Sequence, residues 1–169
     1  GRSRGEFSLV IGKTDVLRQV KYVITLDSDT QLPRESVWKF IATMAHPLNQ
    51  AIYSPEKKRV TDGYGILQPR LASAIPKTAT SLYLRMQGDV FGIDPYTRVS
   101  SDVYQDLFGE GSFIGKGIYE VDVFEQAVHG IFQENRILSH DLLEGCYTRS
   151  GLLSDVLLYE ENPTQYQAD

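Results

Sequence analysis

Two aspartates separated by one residue, Asp27 and Asp29, follow directly on the apolar run Lys21-Tyr22-Val23-Ile24-Thr25-Leu26. Carboxylates at this spacing, just past a strand, both offer oxygens near the carboxyl edge of a sheet. Hard divalent cations take such donors, and a diphosphate can supply the remaining ligands. A cation held there neutralises charge on a departing diphosphate, a Lewis-acid effect worth roughly several kcal/mol. Asp27 and Asp29 can equally serve as turn and helix-cap acceptors, and the spacing alone does not choose between the two roles.

A second acidic position is Asp141, which follows Ser139-His140 and precedes Glu144 by three residues. In one reading Asp141 caps a helix and Glu144 completes a capping box, worth roughly 0.5–2 kcal/mol. In the other, Asp141 is a general base that takes the proton of an attacking hydroxyl, a contribution of roughly 10²–10⁴-fold. The second role requires Asp141 to point into a site, with Ser139 left to cap the helix. His140 is either a polar site residue or a surface histidine.

The glycine-rich stretch Gly109-Glu110-Gly111-Ser112-Phe113-Ile114-Gly115-Lys116-Gly117 imitates a phosphate loop without matching one. The Walker spacing needs glycine at 110 and Ser or Thr at 117, where the chain has Glu110 and Gly117. The dinucleotide fingerprint fails on its glycine intervals. These glycines instead permit tight turns, or the close approach of a bulky ligand to the backbone. The aspartate pair also suggests a phosphatase of the haloacid dehalogenase type with Asp27 as nucleophile. That pattern wants Thr or Val four residues on, and the chain has Gln31.

The elements that must position these residues alternate between strand and helix. Lys21 to Leu26 suits a strand buried on both faces of a parallel sheet. A helix follows, with Pro33 in its first turn and Val37, Phe40, Ile41, Met44 and Ala45 at helical spacing, stopped by His46-Pro47. Tyr64 to Gln68 reads as a short buried strand ended by Pro69. Residues Thr80 to Gln87 read as helix and Gly88 to Arg98 as a long loop. Strand and turn are expected over Gly111 to Gly115, then a helix capped by Asp122, with Glu125 three residues on and Gly130 at its end. Ile137-Leu138 leads to a helix through Leu142, Leu143, Cys146 and Tyr147 that ends at Gly151, and Ser154 to Tyr159 closes as a strand. The pattern is α/β, with ligands beyond the carboxyl ends of the strands.

At 169 residues and 19.0 kDa, 41% hydrophobic and 23% charged, the chain is sized and composed for one globular domain. A net charge of −5 argues against a nucleic-acid partner, which needs a basic face. The single cysteine, Cys146, rules out an intrachain disulfide and fits a reducing compartment. Asn162-Pro163-Thr164 is no glycosylation acceptor, because proline holds its middle position. No apolar run reaches membrane-spanning length, so the chain itself is expected to be soluble.

The order of these segments is more specific than any one of them. The strand ending Leu26-Asp27-Ser28-Asp29, the glycine-rich segment, Ser139-His140-Asp141 and then Tyr159-Glu160-Glu161-Asn162-Pro163-Thr164 resemble family 2-like inverting glycosyltransferases of the GT-A fold. Within that group, Val20 to Pro33, Gly63 to Arg70, Gly92 to Arg98, Ser101 to Gly117 and Ile137 to Cys146 are similar to the glycosyltransferase domain of cyclic β-1,2-glucan synthases. The resemblance covers essentially the whole chain.

This resemblance implies a partial GT-A domain, α/β with a mostly parallel central sheet flanked by helices. It implies a very large parent protein at the cytoplasmic face of the bacterial inner membrane, with whose other domains the chain would work. UDP-glucose is the implied donor, a β-glucan the acceptor, and Mg2+ or Mn2+ the metal. Asp29 would be the principal metal ligand, with Asp27 assisting at the metal or the nucleotide, and Asp141 would be the base. The family's glutamate before that base is replaced by His140. Gly111, Ser112, Phe113 and His140 are the acceptor-side candidates. Two family elements have no counterpart in residues 1–169, namely the first strands that hold uracil and the Arg/Gln-Trp motif. The chain is therefore expected to be one domain's fragment with little or no transfer activity alone. Besides the phosphatase, a non-catalytic glucan-binding or interaction module is the alternative.

Overall fold

The computed structural model describes residues 11–73, 103–132 and 139–160. The expected helix over Thr80 to Gln87, the loop over Gly88 to Arg98 and the Ile137-Leu138 lead-in lie outside them. Strands β1 (Tyr22–Thr25), β4 (Ile66–Ser73), β5 (Gly117–Glu120) and β6 (Ser150–Glu160) form one sheet in the order β1-β5-β4-β6. Strands β2 (Ile52–Ser54) and β3 (Arg59–Asp62) form a separate hairpin. The helices are α1 (Ser36–Met44), α2 (Val103–Phe108), α3 (Val121–Val128) and α4 (Asp141–Thr148).

The expected mostly parallel sheet is mixed. Strand β5 runs antiparallel to both β1 and β4, and only β4 and β6 pair in parallel. Because β5 is reversed between them, β1, β4 and β6 nevertheless point the same way. Their carboxyl ends therefore share one edge with the start of β5, where Thr25 lies opposite Gly117. β1 is an outer strand of this sheet, which explains why its four residues are only half-buried rather than covered on both faces.

One face of the sheet is covered by α1, whose Phe40 and Met44 reach the core with Leu67, Ile118, Leu153, Val156 and Leu158. The i, i+4 spacing of Phe40 and Met44 puts both on the buried stripe, while Trp38 stays 74% exposed on the other side. Burying a side chain like Phe40, fully enclosed here, stabilises by about 1.5–3 kcal/mol. The helix ends at Ala45, and Pro47 begins a short 3-10 turn.

Several local expectations are corrected. Strand β4 does not end at Pro69. It continues to Ser73, with its pairing to β6 shifting register between Pro69 and Arg70. Such an irregularity is where a residue without an N–H can be tolerated inside a sheet. No strand forms over Gly111 to Gly115, because the backbone there turns toward β6 instead, Gly111 N–H donating to Ser150 O at 2.7 Å. Asp122 lies within the first turn of α3, preceded by Glu120 at the cap position, which makes no side-chain cap. Helix α4 ends before Gly151, at Arg149, which takes the left-handed conformation with φ 56°. Gly151 is already part of β6, a strand that starts four residues earlier than expected, at Ser150 instead of Ser154.

The tightest backbone approach in the sheet is at the start of β5. A Cβ on Gly117 would stand 2.3 Å from Leu67 O and 3.1 Å from Gln68 Cα, backbone atoms of the neighbouring strand. Gly117→Ala is therefore expected to destabilise the fold by roughly 1–3 kcal/mol, read as a lower midpoint in thermal or denaturant unfolding. An unchanged midpoint would mean that β5 can slide off β4 without loss.

Candidate functional site

The shared carboxyl edge gathers residues that are far apart in sequence. Thr25 closes β1, Asp27 and Asp29 follow on an exposed turn, Gly115-Lys116-Gly117 leads into β5, Asp141 opens α4, and Glu160 ends β6. The turn is held at both ends. The Thr25 hydroxyl lies 3.3 Å from Gly115 O and 3.4 Å from Gly117 O, its donor shared between them. Beyond the aspartates, Gln31 N–H donates to Tyr159 O at 2.7 Å and Tyr159 N–H returns a bond to Gln31 O at 3.3 Å. Thr30 Oγ1 also donates to Glu160 Oε1 at 3.2 Å.

Lys116 reaches into this turn. Its ammonium bridges Asp27, with Nζ to Oδ2 at 2.9 Å, and the Glu160 carboxylate. The Lys116 side chain is only 14% exposed, whereas Asp27 is 61% exposed, so the lysine approaches from inside while Asp27 faces solvent. Burial alone pulls the ammonium toward its neutral form. Hydrogen bonds and charge from Glu160 and Asp27 outweigh that and hold its pKa above the ordinary 10.5. Sequence reading missed Lys116, which it had considered only as part of a failed phosphate loop.

On the other side of the same tripeptide lies Asp141. A Cβ on Gly115, which has φ 86°, would stand 3.0 Å from Asp141 Oδ2 and 3.4 Å from Oδ1, so this carboxylate packs against the bare backbone. Asp141 is the first residue of α4 and His140 takes the cap position without a side-chain cap, so of the two readings of Asp141 the capping box with Glu144 is not formed. The helix start is closed by backbone alone, Glu144 N–H donating to His140 O at 2.8 Å.

Asp141 and Glu144 line an open pocket of about 220 Å³ together with Thr25, Phe113, Gly115, Tyr119 and Phe124. Tyr119 and Phe124 form a tilted ring pair with centroids 4.7 Å apart. Burial first, and the Asp141 charge second, push the Glu144 carboxyl above its ordinary value of 4.5. Aromatic faces beside carboxylates make a surface able to stack on a sugar ring and accept its hydroxyl protons. Of the acceptor-side candidates only Phe113 lines this pocket. Gly111 is tied to Ser150 by a bond in each direction, Ser112 stands outside the lining set, and the His140 ring packs on Phe132 with centroids 5.2 Å apart. Tyr119 and Phe124 carried no motif that could have marked them, and Glu144 was read only as a capping partner.

The oxygens of Asp27 and Asp29 have the right chemistry for Mg2+ or Mn2+, but they are few. Among the described residues no group of three or more His, Cys, Asp and Glu side chains is placed to hold a metal ion. The pair fits such an ion only where a diphosphate completes the coordination shell.

A raised carboxyl pKa makes a signed contribution to stability. For Glu144 it is fully present below 4.5 and lost as pH rises through the higher folded value. Glu144→Gln is thus expected to unfold at a higher temperature than the wild type at neutral pH, with the advantage disappearing below pH 4.5. Paired melts at the two pH values check this, and equal gains at both would contradict it.

No family model matches the chain. It is 43% identical over 169 residues to the cyclic β-(1,2)-glucan synthase NdvB of Rhizobium meliloti (strain 1021). The match takes in 99% of this chain and 6% of that protein, so the chain spans a small part of the relative's length. Among the described residues no helix is long and apolar enough to cross a membrane. Over nearly its whole length, the chain is related to a segment of a glucan synthase.

Proposed function

We propose that this chain is the catalytic junction of a GT-A glycosyltransferase that moves glucose from UDP-glucose to a growing β-1,2-glucan with inversion. The carrying observation is the tripeptide Gly115-Lys116-Gly117. Its lysine holds Asp27, its first glycine packs on Asp141, and its last pairs with Thr25, so the candidate donor carboxylate and the candidate base flank three consecutive residues. The relative's name supplies the product class, and the resemblance of the motifs supplies the donor.

Bound Mg2+ or Mn2+ would be held by Asp29 with Asp27 assisting, and would neutralise charge on the leaving UDP. An acceptor hydroxyl in the pocket gives its proton to an Asp141 oxygen as its own oxygen bonds the anomeric carbon. The bond from that carbon to the diphosphate breaks with its electron pair leaving on UDP. Phe113, Tyr119 and Phe124 orient the acceptor ring and keep water from competing for the same carbon. Glu144, beside Asp141 in the pocket lining, can accept a hydrogen bond from a second hydroxyl of the acceptor sugar. The reading carries with it a membrane-bound parent at the cytoplasmic face of the bacterial inner membrane, where UDP-glucose is available, and work alongside that parent's other domains.

Glucose transfer in the intact parent protein tests the assignment. Asp141→Asn is expected to lose about 10²–10⁴-fold in rate with its fold intact. Asp29→Asn is expected to abolish both transfer and Mn2+-dependent UDP binding. Near-full transfer in Asp141→Asn would move the base elsewhere. Mn2+-dependent UDP binding that survives Asp29→Asn would remove the metal assignment. Release of phosphate from a phosphomonoester that depends on Asp27 would favour the phosphatase instead.

Gly115→Ala probes the same junction from the backbone. It adds a methyl against Asp141 and is strained at φ 86°. Transfer is expected to fall by more than its stability loss explains, measured as kcat at a temperature where the variant is fully folded. Unchanged kcat would mean that the position of Asp141 does not matter to the reaction.

A further inference from the structure

Lys116 is not required to build the sheet. It sits between two glycines in a segment whose pairing uses backbone alone, and its side chain could have pointed to solvent. Instead the chain buries a cation with its ammonium on two carboxylates from different elements, Asp27 after β1 and Glu160 at the end of β6. The partner facing solvent is Asp27, one of the two residues assigned to the donor diphosphate and its metal. The ammonium lies 2.9 Å from Asp27 Oδ2, so a divalent ion bound at that carboxylate would meet a positive charge at contact distance.

Resting on the glycosyltransferase reading, we infer that Lys116 is the resident cation of the Asp27 carboxylate, competing with a divalent ion for it until a diphosphate draws the ammonium away. A lysine stem is flexible and its charge compact, so the ammonium can swing from one anion to another without moving the backbone. A diphosphate brings oxygens that are at once ligands for a divalent ion and acceptors for an ammonium. Its arrival therefore frees Asp27 and gives Lys116 a new partner in one event. With no diphosphate, Lys116 keeps Asp27 neutralised and the site has little hold on free divalent ions. Metal and nucleotide then bind with positive coupling, each raising the other's affinity by the same factor. In this role Lys116 is a positioning residue with respect to Asp27.

The test is a Mn2+ titration of the intact parent protein, by calorimetry or by the electron paramagnetic resonance signal of free Mn2+, with and without UDP. Lys116→Met removes the competing charge. Lys116→Gln is the second variant, retaining a polar end should the methionine protein fail to fold by circular dichroism. Lys116→Arg keeps the charge as a control. Without UDP, the Met and Gln variants are expected to bind Mn2+ about 10-fold more tightly than wild type, or better. That is the scale on which a unit charge at contact distance shifts an ionic equilibrium. The Arg variant should resemble wild type. With UDP present, the gap between wild type and the neutral variants should close.

Equal or weaker Mn2+ binding by the Met and Gln variants without UDP overturns the inference. A gap that stays open with UDP also overturns it, because the ammonium is then not drawn away. The two readings fail separately. Tighter Mn2+ binding by the neutral variants with no UDP binding in any protein leaves Lys116 as resident cation and removes the transferase reading. UDP binding that depends on Asp29, with no effect of Lys116 on Mn2+, does the reverse.

Discussion

The carboxyl edge of this sheet depends on how closely β5 can lie against its neighbours. β5 runs against β1 on one side and β4 on the other, and it enters the sheet at Gly117, where a methyl would meet the Leu67 carbonyl oxygen at 2.3 Å. Because nothing projects there, Thr25 can pair with Gly117, and the hydroxyl of Thr25 can reach back to Gly115 O. Those contacts set the two preceding residues, Gly115 and Lys116, against Asp141 and Asp27. A larger residue at 117 would push all of them away from the edge together. Packing, backbone pairing and the geometry of the acidic groups are in this sense one constraint.

The amino-acid sequence made some of this legible and hid the rest for identifiable reasons. The strand before Asp27, marked by a continuous apolar run, and the helix carrying Phe40 and Met44, marked by its spacing, are local features, and the structure has both. The hairpin of β2 and β3 went unread because its strands are three and four residues long and four of those seven positions are polar, too short for alternation to register. Pro69 looked like a strand end because a proline lacks the donor a ladder needs, yet the shift of register beside it accommodates that loss. Strand β5 offered only four residues after a run of glycines, so its reversed direction, which makes the sheet mixed, had no local signal.

The candidate site divides in the same way. Asp27, Asp29 and Asp141 announce themselves by residue type and by the elements beside them. Lys116 and Glu160 do not, since a lysine among glycines and a glutamate at a strand end are ordinary until the fold brings them within hydrogen-bonding reach of each other. The aromatic lining follows the same rule. Phe113 stood within a segment that attracted attention, while Tyr119 and Phe124 belong to β5 and α3 and face the pocket only because the strand gives way to the helix without an intervening loop. His140, next to Asp141 in sequence, turns its ring to Phe132 instead. Adjacency along the chain was a poor guide to adjacency in space.

The Asp-x-Asp turn is tied at both ends, by Thr25 to the glycine-rich segment and by Gln31 to Tyr159. A loop anchored on either side over so few residues has little slack, and the conformational entropy it would lose on closing over a guest has already been given up in folding. A guest held at this turn would therefore be met by rotation of side chains within a fixed backbone rather than by a flap folding down. Side-chain rotation takes picoseconds to nanoseconds where exposed, far faster than loop closure. Entry of a guest at this corner would then be governed by diffusion and by the charges it meets on arrival rather than by closure of the turn.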